Sequence, residues 1–227
     1  LKLSPDVAIV AHNIALREAG RTLGELDLVI RAANGEIAHL ELAIKFYMGR
    51  PELQQPGCSG ECSNTSLWWG PDPSDQLSLK VQRLIQHQLP LVKQLEALQP
   101  AQYPQELPKP TCSATWLQGF LFQSAAQNMP PACGQTTRSG AQLWCHRKEA
   151  VTLLPSNSRW IAIPHKEWLM PPKLPAASEL LKPEQMQQVF ANARAQQAVM
   201  FARVAAPDNY QPLHADRLIC VADDWPA

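Results

Sequence analysis

Residues 4–49 read "SPDVAIVAHNIALREAGRTLGELDLVIRAANGEIAHLELAIKFYMG". Ile9, Leu16, Leu23, Ile30, Ile37 and Ile44 recur every seven residues, and His12, Ala19, Leu26, Ala33, Leu40 and Tyr47 each follow three later. An a/d repeat of this kind, sustained over the whole stretch, predicts a helix with a coiled-coil seam. The ends agree with it. Ser4 offers an N-cap, Pro5 suits the first helical position and Asp6 suits the positive end of the dipole. Gly49 and Pro51 supply a stop. At 1.5 Å per residue the helix would be about 65–70 Å long. Gly20, Gly24 and Gly35 lie off the seam, where they would let it bend.

A second helix is expected over 75–98, where Leu77, Leu84, Leu91 and Leu98 repeat every seven residues. Pro90 should kink it, because proline removes a backbone donor and crowds the preceding turn. The two helices then make an antiparallel hairpin or bundle over 1–110, with a connector at 50–74. The second helix covers only half of the first, so the rest of the 9–47 seam needs another cover. Candidates are a helix at 113–127, a second copy of the chain or a protein partner.

Past residue 139 the pattern changes. "AQLWCHR", "AVTLL" and "SRWIAI" are short, rich in β-branched or aromatic residues and set apart by breaks, as in a small antiparallel sheet. Residues 182–204 show one broad apolar face, Met186, Val189, Phe190, Ala193, Met200, Phe201 and Val204, which predicts a helix packed on that sheet. "DRLICVAD" at 216–223 reads as a buried strand. The fold class expected is therefore α+β: a helical domain at 1–110 and a compact α+β domain at 111–227.

Lys+Arg and Asp+Glu each total 20, giving a formal net charge of zero. Without a basic excess there is no electrostatic footprint for nucleic acid, and no apolar run is long enough to span a bilayer. The 21 prolines gather between the predicted elements and mark the joints.

Six cysteines, Cys58, Cys62, Cys112, Cys133, Cys145 and Cys220, mostly stand beside turn-forming residues. No C-x2-C occurs, which speaks against a zinc or thioredoxin-like site. Three disulfides are the reading that follows, with Cys58–Cys62, Cys112–Cys133 and Cys145–Cys220 as pairings suggested by proximity. That framework places the protein in an oxidising compartment: periplasm, cell surface or secreted. A chain that opens at Leu1 rather than Met fits export after loss of an N-terminal segment.

No phosphate-binding, dinucleotide-binding, nucleophile-elbow or zinc-protease motif is present, so neither enzyme nor cofactor is expected. His12, His39 and His87 fall on predicted helices as surface or seam residues. His165 with Glu167, and His214 with Asp216, are the loop positions where histidine stands near a carboxylate, and they are the metal or general-base candidates. Seven tryptophans against three tyrosines draw attention to Trp68 and Trp69 in "LWWGPDP". Tryptophans exposed in a loop stack on sugars or anchor protein contacts.

A long N-terminal helix before a disulfide-bearing domain is similar in plan to pilin-like subunits and periplasmic pieces of secretion machinery, in layout alone. The function expected is that of a non-enzymatic, extracytoplasmic structural or assembly protein that contacts a partner or a second copy through the helical seam. The alternative is a periplasmic or surface ligand-binding or sensory domain that uses its tryptophans.

Overall fold

The computed structural model describes residues 6–18, 20–54, 64–95, 103–129, 140–173, 176, 179–204 and 215–226. The expected helical rod is replaced by a meander of three long strands: β1 (Val7–Glu18), β2 (Arg21–Ala32) and β3 (Ile37–Gly49). β1 and β2 pair antiparallel from Val7↔Ala32 to Glu18↔Arg21, and Gly20 turns the chain at φ +80°. Between β2 and β3 the Gly35 N–H donates to the Ala32 carbonyl, with Gly35 at φ +84°. Asn-Gly at such a turn is a strong hairpin signal, because glycine enters the left-handed region without steric penalty.

The heptad spacing runs across this meander. The strands start at residues 7, 21 and 37, so strand plus turn repeats at close to two heptads. Side chains alternate along a strand, so residues seven apart lie on opposite faces, and the heptad spacing corresponds to no shared face. The local chemistry favours strands throughout: β-branched residues are frequent, and Asn34-Gly35 and Gly20 sit where a helix interior would be weakened.

The chain divides into two compact units, Leu1–Lys45 with Leu79–Gln118, and Phe46–Ser78 with Gly119–Ala227. In the first, the 75–98 stretch is helical over 77–94. α1 (Leu77–Arg83) passes through a π turn (Leu84–Gln88) into α2 (Leu91–Gln94). The π turn closes with Leu89 N–H to the Leu84 carbonyl, immediately before Pro90, whose ring and missing donor disfavour regular α geometry. Leu84, Leu91 and Leu95 are buried. Leu91 and Leu95 join Leu16, Leu26, Val29 and Tyr103 in a small aliphatic core. Gly24 matters here, since a Cβ on it would stand 2.7 Å from Leu91 Cδ1.

Residues 113–127, expected to be helical, instead lie mostly in a strand, β5 (Cys112–Ser124), next to β3 in the sheet. Thr111 bonds to Ile37, and Ser113 contacts His39, both 74 residues apart in sequence. A constant offset means the two strands run parallel, and a parallel return needs a crossover, which 77–94 supplies.

In the second unit β4 (Trp68–Trp69) pairs with the end of β3 at Gly49↔Trp68. β6 (Gln142–His146) runs parallel to both β5 and β9 (Arg217–Val221). β8 (Val199–Arg203) and β7 (Trp160–Ile163) complete the order β5-β6-β9-β8-β7 in antiparallel pairing. The sheet, with nine strands in all, is mixed rather than small and antiparallel.

The helices are short. α3 (Ala150–Leu153) follows β6, and α4 (Met186–Asn192) occupies the front of the predicted 182–204 helix. The rear of that segment is strand β8, whose Val-Met-Phe-Ala run is wholly buried, as befits a strand covered on both faces. Aromatic rings dominate this core. Trp144 lies edge-on to Trp225, and its indole N–H donates to the Gly49 carbonyl at 2.7 Å. The Trp225 indole donates to the Gly70 carbonyl at 3.1 Å. Among the described residues no helix is long and apolar enough to cross a membrane.

Candidate functional site

Alternation along β3 places His39 and Glu41 on one face and Leu42 and Ile44 on the other. The first face lies toward the 77–94 helix, which brings Lys80 and Gln88 to it. His39 and Glu41 are 0% and 1% exposed, a rare state for a histidine–carboxylate pair in a core. Glu41 Oε1 accepts from the Gln88 side-chain amide and lies 3.8 Å from Lys80 Nζ. Lys80 in turn donates to Gln88 Oε1 at 3.0 Å. The neighbouring strand contributes Ser113, whose Oγ lies 3.4 Å from His39 Nδ1 and 2.9 Å from the Leu89 carbonyl.

These contacts set the protons. The Leu89 carbonyl only accepts, so the Ser113 hydroxyl donates to it. His39 Nδ1 must then be the donor to Ser113 Oγ. That leaves His39 Nε2 facing Glu41 Oε2 at 3.6 Å, and neither atom has another hydrogen-bond partner. Two lone pairs facing each other in a dry interior would repel, so a proton belongs between them. It makes the pair an imidazolium and carboxylate, or a neutral imidazole and carboxylic acid. The pair is flanked by the Lys80 ammonium and the Ser113 hydroxyl. Buried ionisable groups with unfilled bonding capacity are uncommon in native folds, and they concentrate where chemistry or binding needs them.

The residues singled out from sequence fall elsewhere. Cys58, Cys62, Cys133 and His214 lie outside the described residues. Cys112, Cys145 and Cys220 are free thiols. Cys112 is exposed, and its thiol is pushed up by desolvation and by Glu36. Trp68 is fully buried, and Trp69 is half-buried beneath the Arg50 guanidinium, 4.4 Å from its ring centroid. Neither stands out into solvent as a free stacking platform. His165 packs edge-on against Trp168 at 4.6 Å between centroids, one 3-10 turn from Glu167. Asp216 is engaged with Arg203 at 3.3 Å and accepts the Ala141 N–H at 2.7 Å. Among the described residues no three or more His, Cys, Asp or Glu side chains are grouped to hold a metal ion.

Sequence reasoning placed His39 on a helix and passed over Glu41. The available signal was "HLELAIKFYM", where His39, Glu41 and Lys45 alternate with Leu40, Leu42, Ile44 and Phe46. Period-two alternation marks a strand.

A family model described as "Domain of unknown function (DUF1853)" matches residues 1–221. The chain belongs to the DUF1853 family. No curated protein and no solved structure matches it. The matched span of this DUF1853 chain takes in both strands and the helix that build the His39–Glu41 site.

Proposed function

We propose that the His39–Glu41 pair is an acid–base site and that the protein is an enzyme built around it. The observation that carries this reading is the pair of buried, mutually facing atoms, His39 Nε2 and Glu41 Oε2, with no other partner. In this role the pair takes up or delivers one proton. Lys80 and Gln88 hold the Glu41 carboxylate in place, and Ser113 fixes the imidazole tautomer from the far side. This reading departs from the non-enzymatic role that the sequence suggested; that role rested on the cysteine count, the absence of a catalytic motif and a helical seam, and the fold does not contain the seam.

The test is a panel of generic substrates, phosphomonoesters, phosphodiesters, carboxyl esters and amides, assayed with the wild type, His39→Gln and Glu41→Gln. The expected result is turnover on one class, with a loss of about 100-fold or more in each folded variant. Equal turnover in all three proteins, or none on the whole panel, would count against the proposal.

A second reading keeps the assembly role and moves its surface. Leu42, Ile44 and Trp116 are 38%, 58% and 39% exposed. The parallel register of β3 and β5 puts them on the sheet face away from the 77–94 helix. Large apolar side chains gathered on one exposed face support protein contact. Light scattering of the wild type beside an Ile44→Lys variant tests it: association lost in the variant favours this reading, and a monomer in both removes self-association.

A further inference from the structure

Cys145 and Cys220 are register partners on the neighbouring parallel strands β6 and β9, and their sulfurs lie 3.8 Å apart. Adjacent strands stand about 4.8 Å apart, within the Cα separation of about 4.4–6.8 Å that a disulfide bridges. Both side chains enter one apolar cluster with Leu154, Met186, Phe190 and Phe201, so both point to the same face of the sheet. The backbone therefore already holds the two thiols in a place where an S–S bond needs only side-chain rotation.

The same cluster closes the pair off. Cys145 is 1% exposed and Cys220 is 0% exposed. Thiol–disulfide exchange runs through the thiolate and needs a line of approach to sulfur. Burial and the adjacent Cys145 push the Cys220 thiol well up, while the Arg147 charge works in the opposite sense. Exposed Cys112 has no such cover.

We propose that Cys145 and Cys220 form a disulfide only while the chain is folding, in the presence of a low-molecular-weight disulfide. The finished sheet then preserves whichever redox state it closed over. The step balances. One cysteine thiolate of the open chain attacks the reagent disulfide, forming a mixed disulfide and releasing one reagent thiolate. The second cysteine thiolate attacks the protein sulfur of that mixed disulfide, closes the cross-link and releases the other. Two protein thiols are oxidised with loss of two protons, and one reagent disulfide is reduced to two thiols. This inference does not depend on the His39–Glu41 proposal, since both cysteines belong to the other unit.

The test uses the full chain with oxidised glutathione as the probe. In one arm the folded, reduced protein is incubated with it. In the other, denatured and reduced protein is refolded in a glutathione redox buffer. Both are acid-quenched, alkylated under denaturing conditions, digested and read by mass. The expected result is a linked Cys145–Cys220 peptide in the refolded arm. In the folded arm both cysteines are recovered as alkylated thiols, while Cys112 carries glutathione. A Cys145→Ala variant refolded in the same way should leave Cys220 unlinked. Expression in a reducing and in an oxidising host compartment repeats the comparison without refolding. Protein that folds in the oxidising arm with both thiols free overturns the proposal. So does a cross-link that forms as fast in the folded protein as during folding.

Discussion

The two units differ in how their buried polar groups are satisfied. The first buries His39 and Glu41 beneath the 77–94 helix and leaves Leu42, Ile44 and Trp116 in solvent. The second buries Trp144, Trp160, Trp168 and Trp225 and uses acidic side chains at its surface to tie down chain turns. Glu149 accepts the His146 N–H, and Asp223 accepts the Lys148 N–H. The second unit also buries a charge, Arg217, but its guanidinium donates to the Trp168 and Met170 carbonyls. The first leaves His39 Nε2 and Glu41 Oε2 with no partner but each other, on the same strand, β3, that exposes Leu42 and Ile44. Local violations of folding rules are expected at functional sites, where stability gives way to chemistry. On this view the proposed acid–base pair belongs to the first unit.

The contrast would be broken most directly from the aromatic side. Trp144→Ala removes a buried ring, its edge-on contact with Trp225 and its bond to Gly49. A loss of about 3–5 kcal/mol is expected in urea unfolding, and a loss below 1 kcal/mol would show that this core is not the stabilising one.

His39→Leu alone leaves Glu41 buried without its facing proton and should lose about 3–5 kcal/mol. The double variant His39→Leu with Glu41→Met replaces both groups by apolar ones and should recover most of that loss, or exceed the wild type. Failure of the double variant to recover would make the pair structural, and the contrast between the units would lapse.

Gly49→Ala probes how tightly the second core is packed. The new methyl would meet the Met129 thioether and lie 3.2 Å from the Trp68 ring. Overpacking of this kind costs about 1–3 kcal/mol, and an unchanged midpoint would mean that Met129 moves aside freely.

Tyr47 offers a pH-dependent test. Its hydroxyl donates to Asp75 Oδ1 at 3.1 Å, and burial, then the Asp75 charge and this bond, push its pKa above the ordinary value. The fold favours the neutral phenol, so this stabilisation is complete below about pH 10 and declines as pH rises past the unfolded-state value. Tyr47→Phe should lose about 1 kcal/mol at neutral pH and show a flatter alkaline limb in a series of melts. A limb as steep as that of the wild type would point to other groups.

The smallest effect belongs to the exposed face. Leu42→Ser, Ile44→Thr and Trp116→Ser should each stay within about 0.5 kcal/mol of the wild type. A larger loss in any of them would mean that the face is covered.

The legibility of the chain follows the same division. In the second unit, short apolar strands bounded by breaks were mostly readable: β6, β7 and β9 fall where "AQLWCHR", "SRWIAI" and "DRLICVAD" placed them, whereas "AVTLL" forms helix α3 rather than a strand. The 182–204 segment read as one helix because Met200, Phe201 and Val204 extend the apolar face of Met186 and Phe190. Periodicity alone does not separate a helix from a short helix followed by a buried strand. In the first unit the error was one of period. Apolar residues seven apart met the heptad template although they lie on opposite faces of a strand, and Gly35 was read as a bend in a helix rather than as the Asn34-Gly35 turn. The candidate site was hidden for a different reason. Alternation in "HLELAIKF" shows that β3 has two faces, yet burial rules would send His39 and Glu41 outward and Leu42 and Ile44 inward. Only the position of the 77–94 helix reverses that choice, and sequence pattern does not carry it.

The units are interleaved along the chain: 1–45 and 79–118 belong to one, 46–78 and 119–227 to the other. During synthesis the meander of β1, β2 and β3 leaves the ribosome first, but the helix that covers His39 and Glu41 follows only after a segment of the other unit. The strand carrying Ser113 comes later still. Synthesis proceeds at about 5–20 residues per second, so the buried pair spends several seconds hydrated before its cover arrives. No single cut in the polypeptide separates the residues of one unit from those of the other. A protease nick or a truncated transcript anywhere between the first and last of these segments therefore divides at least one unit.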